Sequence, residues 1–501
     1  MDRQGDRPAL SFFSNVVQLI SGSVVAQGLT VLTLPILSRL FEPQAIGLSS
    51  LFLSITSFIG VLACLRYELA IMLPESNEDA ANLFGGCLVV TTGVTVITAC
   101  LIPFISEGLL NRLNAIELMP YLYLIPVAIM VNGFYLALNY WNSRTKHFGR
   151  LSIARVTASV VHNTVRLGSG LLGYVNSGVL IISQIIGQFV TTSVLGGQIF
   201  RDHNALFKKS IRVKPMMAGL KRHWKFPLIS SWSVAFNTLS LQLPSWLLAF
   251  YFSPAIVGYF ALCRMVLGMP MNLIGMSVSQ VFFQRISEAA AGSEDLGQVV
   301  SGVFRRLVSL GLFPFLLLTL IGDDAFVFVF GGKWADAGFF AQILSLAIFF
   351  QFISSPLIVM FTVLEKQGTH LLLDMFLLIS RFAALVTGGL KGNATLALVL
   401  YACCGILYYL IFQIWLSKTL NTSFSILLKP LAKFGGYSIP SLALPVILKW
   451  QFQLSPLWVF LAGCLCAVPY YLFVLKEDES LQKPVLAIFH KTGLDKLHIF
   501  G

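Results

Sequence analysis

The sequence is poor in charge. Only 11% of its 501 residues are Asp, Glu, Lys or Arg, against roughly 25% in soluble domains, which excludes a water-exposed globule of this size. It also lacks strand-like alternation. Apolar residues come in runs of roughly 18–25, enough to cross a ~30 Å hydrocarbon core as a helix, and a membrane β-barrel with alternating ~10-residue segments is excluded. No G-x4-G-K-[ST] phosphate loop is present, and Gly331-Gly332-Lys333-Trp334 has neither the spacing nor the hydroxyl, so no ATP hydrolysis is built in. The eight cysteines, Cys464-x-Cys466 included, fall in apolar segments where thiols pack as small hydrophobes, and no Cys/His cluster with metal-ligand spacing occurs. The longest outer connections, near 107–118 and 322–335, leave no room for a catalytic domain. Asp323-Asp324 opens the second and reads as two solvated loop carboxylates.

What is abundant is hydrophobicity: 56% of residues, with a mean hydropathy of +0.80. The expectation is an all-α, polytopic membrane protein of about 14 transmembrane helices. The charged N-terminus (Asp2, Arg3, Asp6, Arg7) leads into a first span at 12–40, too long for a signal-peptide core, which stays as a span. Of 34 Lys and Arg, 24 fall on the side holding both termini and five on the other; the positive-inside rule makes the first side cytoplasmic. The net charge of +12 is therefore topology and calls for no nucleic acid.

The basic segment 201–225 divides the chain into an N-lobe at 1–200 and a C-lobe at 226–418, followed by two further spans over 430–475 and a cytoplasmic tail at 476–501. Phe41-Glu42-Pro43-Gln44-Ala45-Ile46-Gly47 resembles Phe252-Ser253-Pro254-Ala255-Ile256-Val257-Gly258, in the corresponding connection of each lobe. Six spans separate the copies, so the lobes share one orientation, an arrangement common among transporters.

Five arginines lie inside spans: Arg66, Arg155, Arg166, Arg264 and Arg381, with only Glu68 and Asp374 as acids. Each charge costs ~2.5–3.5 kcal/mol at the bilayer centre, and the acids are too few to pair them all. An anionic substrate is expected. In the fifth span Arg155, Ser159, His162, Arg166 and Ser169 form one polar stripe; His370, Asp374 and Arg381 repeat the pattern in the eleventh. Arg155 and Asp374 sit about one turn inside the boundary, where reaching the headgroups accounts for them. Arg66 fits either reading, while the deeper Arg166, Arg264 and Arg381 favour a cavity. His162 suits an interior hydrogen bond as well as a proton carrier. Arg66 and Glu68, two apart on a helix, are expected to point apart rather than pair. Gln18 with Asn15, Ser21, Ser23 and Gln27 makes the first span polar, and Asn237 with Ser230, Ser233 and Ser240 the seventh; cavity lining and helix packing explain these equally.

Three stretches carry a resemblance. Val257–Pro270 with Ile274-Gly275 and Ser279–Arg285, and Phe330-Gly331-Gly332-Lys333-Trp334-Ala335-Asp336-Ala337-Gly338, resemble the Wzx-type polysaccharide flippases, as does Arg66-Tyr67-Glu68-Leu69-Ala70-Ile71. That family lies in the group holding MATE exporters and lipid II flippases. The resemblance implies two six-helix lobes working by alternating access in the bacterial inner membrane. It implies a flippase for undecaprenyl-pyrophosphate-linked oligosaccharide in O-antigen or exopolysaccharide assembly, alongside a polysaccharide polymerase. Arg66 and Arg264 would meet the pyrophosphate, with Arg166, Arg381, Arg155, Asn237 and Gln18 as further substrate contacts and Glu68, Asp374 or His162 coupling H+ or Na+; no other cofactor is expected. The alternatives are a MATE-type cation antiporter, disfavoured by the arginines, and a membrane polymerase or ligase, which lacks a domain for its chemistry.

Overall fold

The computed structural model describes residues 7–105, 107–271, 278, 282, 285–286, 288, 295–423 and 425–478, without the side chains of 7–21, 426 and 427. The described residues form helices and turns with no strand, as a chain dissolved in hydrocarbon must if each backbone amide is to find its partner locally. The chain divides into two compact units, 1–261 and 262–501.

Unit one contains α1 (Arg7–Leu40), α2 (Pro43–Gly60), α3 (Asn77–Leu101), α4 (Leu124–Arg144), α5 (Phe148–Leu171), α6 (Ser177–Ser210), the short α7 (Val213–Arg222), α8 (Ser231–Tyr251) and the start of α9 (Pro254–Pro270). Unit two continues α9 and adds α10 (Leu296–Phe330), α11 (Ala335–Ser354), α12 (Gln367–Leu390), α13 (Ala394–Thr419), α14 (Ser425–Trp450) and α15 (Pro456–Glu477). Eleven helices among the described residues are long and apolar enough to cross a membrane. Phe148–Leu171 and Ser231–Tyr251 fall short of that hydropathy because of their polar stripes, and Pro254–Pro270 is an apolar helix of 17 residues.

Local signals set many boundaries. Ser76, Asn176, Asp295 and Asn393 each accept a backbone N–H at a helix start, and Pro43 opens α2 where its missing N–H costs nothing. One backbone device occurs twice. The chain enters α5 through left-handed Lys146 and α12 through left-handed Glu365, and leaves them through Gly173 and Gly392, 219 residues apart in both cases. The two glycines adopt φ of +88° and +62°, which a Cβ would disfavour.

Two expectations need correction. The apolar run predicts a second span over 44–73, but this segment is not one helix. α2 ends at Gly60, turns occupy 61–66, and a 3₁₀ helix covers Tyr67–Met72. Leu65 and Arg66 take φ of 46° and 63°, and this reversal swings the side chains together: Arg66 Nη1 lies 3.2 Å from Glu68 Oε1. The pair that helical geometry forbids is an ion pair because the helix is absent. Nor do Asp323 and Asp324 sit in a loop. α10 kinks at Ile321 and continues to Phe330. Lys449 of α14 pairs with Asp323 and stands 2.9 Å from Asp324, while Gln342 Nε2 donates to Asp323 at 2.8 Å. A part-buried amine between the carboxylates lets the helix carry them.

The Phe330–Gly338 motif has a packing role in unit two. Trp334 is wholly buried, and a Cβ on Gly338 would lie 2.5 Å from the Gly322 carbonyl oxygen, so α10 and α11 touch backbone to backbone.

Candidate functional site

In unit one the fifth-span stripe is real and turns toward α1. Arg155 Nη1 donates to Ser23 Oγ at 2.9 Å, Ser159 Oγ to the Ala26 carbonyl at 2.8 Å, and Thr33 Oγ1 to Asn163 Oδ1 at 3.0 Å. Between α1, α5 and α6 lies a cavity of about 220 Å³ lined by Gln27, Thr30, Ser159, His162, Gln184 and Gln188, among others. His162 Nε2 is buried without a hydrogen-bond partner, and so is Arg166 Nε one turn further along. Such atoms are costly unless something polar visits them. Gln184 and Gln188 also wall a second cavity, of about 130 Å³, with Thr56 and Asn132. The sequence reading missed this amide pair, although their i, i+4 spacing inside an apolar span was visible. Asn237 lies on α8, exposed. The side chain of Gln18 lies outside the described residues.

Glu68 is 1% exposed and faces Arg66, yet neither carboxylate oxygen forms a hydrogen bond with good geometry, nor does Arg66 Nε. The pair sits on the strained segment between α2 and α3, with polar capacity left over.

Unit two gathers three further candidates around two tyrosines of α13. Arg264 Nη1 of α9 donates to Tyr401 Oη at 3.2 Å. The Arg381 guanidinium of α12 stacks over the same ring, 4.4 Å from its centroid, a cation–π contact strengthened where water is scarce. A Cβ on Gly405 would stand 3.1 Å from Arg381 Nη2, so the glycine clears the space that the guanidinium fills. One turn further, Tyr408 donates to Asp374 Oδ1 at 2.9 Å, and His370 Nε2 lies 3.4 Å from Asp374 Oδ2. Tyr401, Gly405 and Tyr408 stand at i, i+4 and i+7 on α13 and meet Arg381 and Asp374 at i+7 and i on α12. The sequence reading found the α12 stripe and overlooked its α13 counterpart.

Chemically, Tyr401 meets one arginine through its phenol and the other through the face of its ring. Among the described residues no group of three His, Cys, Asp or Glu is placed to hold a metal.

The fold resembles known transporters. A lipid II flippase, MurJ, in an inward-closed conformation superposes with a TM-score of 0.65 at 12% identity, over 94% of this chain and 98% of that one. An inward-facing multidrug-resistance MATE family transporter of the MOP superfamily gives 0.61 at 15% identity, over 79% and 98%. No curated protein matches the chain by sequence. The family model for polysaccharide biosynthesis proteins matches residues 36–339, more than half the chain. This multi-pass membrane protein belongs to the polysaccharide biosynthesis protein family.

Proposed function

We propose that the protein is a flippase that carries undecaprenyl-pyrophosphate-linked oligosaccharide repeat units from the cytoplasmic to the outer leaflet of the bacterial inner membrane by alternating access. The observation that carries this reading is the Arg264–Tyr401–Arg381 cluster: two guanidinium groups that converge on one tyrosine inside a helical bundle. A pyrophosphate suits such a pair, because planar guanidinium groups bind phosphate oxygens through paired, charge-assisted hydrogen bonds. Family membership over 36–339 supports a role in polysaccharide assembly, and the likeness to the MurJ lipid II flippase supports a fold suited to moving lipid-linked material. Arg166 and the glutamine-lined cavity of unit one suit the neutral hydroxyls and amides of sugars. Glu68, Asp374 and His162 are the groups through which H+ or Na+ would drive the cycle.

A cation antiporter of the MATE type is the second reading, supported by the fold likeness alone. The arginine excess argues against it.

The test is export in cells. Replacing Arg166 and Arg264 together with Gln is expected to abolish surface polysaccharide with the protein still in the membrane. Full export by that variant would refute the reading.

A further inference from the structure

We propose that α7 lies flat on the membrane surface and binds anionic phospholipid, making the basic connection between the halves a lipid-reading element. Between Asp202 and Glu288 the sequence has no acidic residue, while 201–225 holds eight Lys and Arg. α6 is 34 residues long, about 51 Å at 1.5 Å per residue, so it outreaches a ~30 Å core and delivers α7 to the interface.

The packing of α7 fixes which way it faces. Met216 is buried, Arg212 N donates to Asn82 Oδ1 at 3.0 Å, and Tyr67 Oη donates to the Leu220 carbonyl at 3.1 Å. Leu220 lies over Gly86 and Leu83 against Gly219, at a spacing a Cβ would close to 3.0–3.1 Å. So seated, α7 turns Val213 and Met217 outward, 70% and 58% exposed, with Trp224 just beyond at 49%. At 100° per residue these three fall on one stripe beside the buried Met216 and the part-buried Leu220. Lys214 and Lys221 occupy the adjoining arc and Arg222 lies further round the helix, all exposed. An apolar stripe edged by basic side chains, with a tryptophan at its end, is the chemistry of an interfacial helix on anionic headgroups.

Hydrogen–deuterium exchange on the full-length protein in lipid nanodiscs tests this, comparing pure phosphatidylcholine with a phosphatidylglycerol mixture. Each basic side chain near an anionic surface is worth roughly fivefold in binding. Residues 211–226 are expected to exchange at least tenfold more slowly in the anionic discs. The gain should vanish in K214Q/K221Q/R222Q, survive in K214R/K221R, and shrink in high salt as the screening length falls to ~3 Å. Equal exchange in both lipids would overturn the proposal, as would a triple-Gln variant protected like the wild type. Slowing only when cytosolic protein is added would assign the face to a protein partner and overturn it too.

Discussion

Gly47 and Gly258 occupy equivalent positions in the two copies of the Phe-x-Pro-x3-Gly repeat, and they pack against one another's motifs. A Cβ on Gly47 would fall 1.7 Å from the Pro254 carbonyl oxygen, and one on Gly258 would fall 2.0 Å from that of Pro43. The contact is reciprocal: each glycine opens a gap for the turn of helix that begins at the other copy's proline. The repeat is therefore a helix crossing written twice.

Because backbone, not a flexible side chain, blocks each position, Gly47→Ala and Gly258→Ala should each lower stability by about 1–3 kcal/mol. Gly268→Ala, with nothing within 4 Å of its Cβ position, should be close to neutral. Thermal unfolding of the purified variants in detergent checks this. Equal melting temperatures for all three would contradict the crossing.

Tyr401 serves two arginines through different parts of one side chain. Tyr401→Phe keeps the ring under Arg381 and removes the hydroxyl that holds Arg264, a bond to a charged group worth about 1.5–3 kcal/mol. The phenylalanine variant should stay folded with export reduced several-fold. Gly405→Leu, which intrudes on Arg381, should reduce it further. Cell-surface polysaccharide normalised to membrane protein measures both.

Arg66 and Glu68 meet across a left-handed turn. Glu68→Gln alone leaves Arg66 without its counter-charge. The fully buried limit for breaking such a pair is about 3–5 kcal/mol; Arg66 is 24% exposed, and solvent screening brings the expected loss to roughly 1–2 kcal/mol. Arg66→Gly with Glu68→Gln removes both charges and gives the left-handed position to the residue that tolerates it. That double variant should recover the lost melting temperature and still fail to export.

Lys449 ties α14 to α10 by neutralising Asp323 and Asp324. Lys449→Met should destabilise by about 1–3 kcal/mol, since it strands two carboxylates that are only part-exposed. Adding Asp323→Asn and Asp324→Asn should restore most of the loss. A thermal-melt mutant cycle reads the coupling; additive effects would show that the three do not act together.

The spans and the α5 and α12 stripes were legible because both rest on period and composition, which sequence displays directly. Arg155 and Ser159, four apart in that stripe, both reach α1, as a shared helix face allows. The break after Gly60 was not legible. Residues 61–66 (Val-Leu-Ala-Cys-Leu-Arg) contain neither glycine nor proline, and nothing in their local propensity announces a turn. Asp323 and Asp324 misled for a different reason: the amine that admits them to a helix comes from a residue 126 positions later. Tyr401 and Tyr408 carry no charge and sit in a uniformly apolar helix, so their role emerges only from the guanidinium and carboxylate facing them across α12.

If Arg264 and Arg381 carry a pyrophosphate-linked glycan across the bilayer, its transfer between leaflets should depend on both. Purified protein in liposomes, loaded with a fluorescent undecaprenyl-pyrophosphate oligosaccharide, measures that transfer through the label's accessibility to an external quencher. Wild-type protein should equilibrate the label between leaflets, while R264Q/R381Q, reconstituted to the same density, should stay near the protein-free rate. Equal rates for the two proteins would contradict the account.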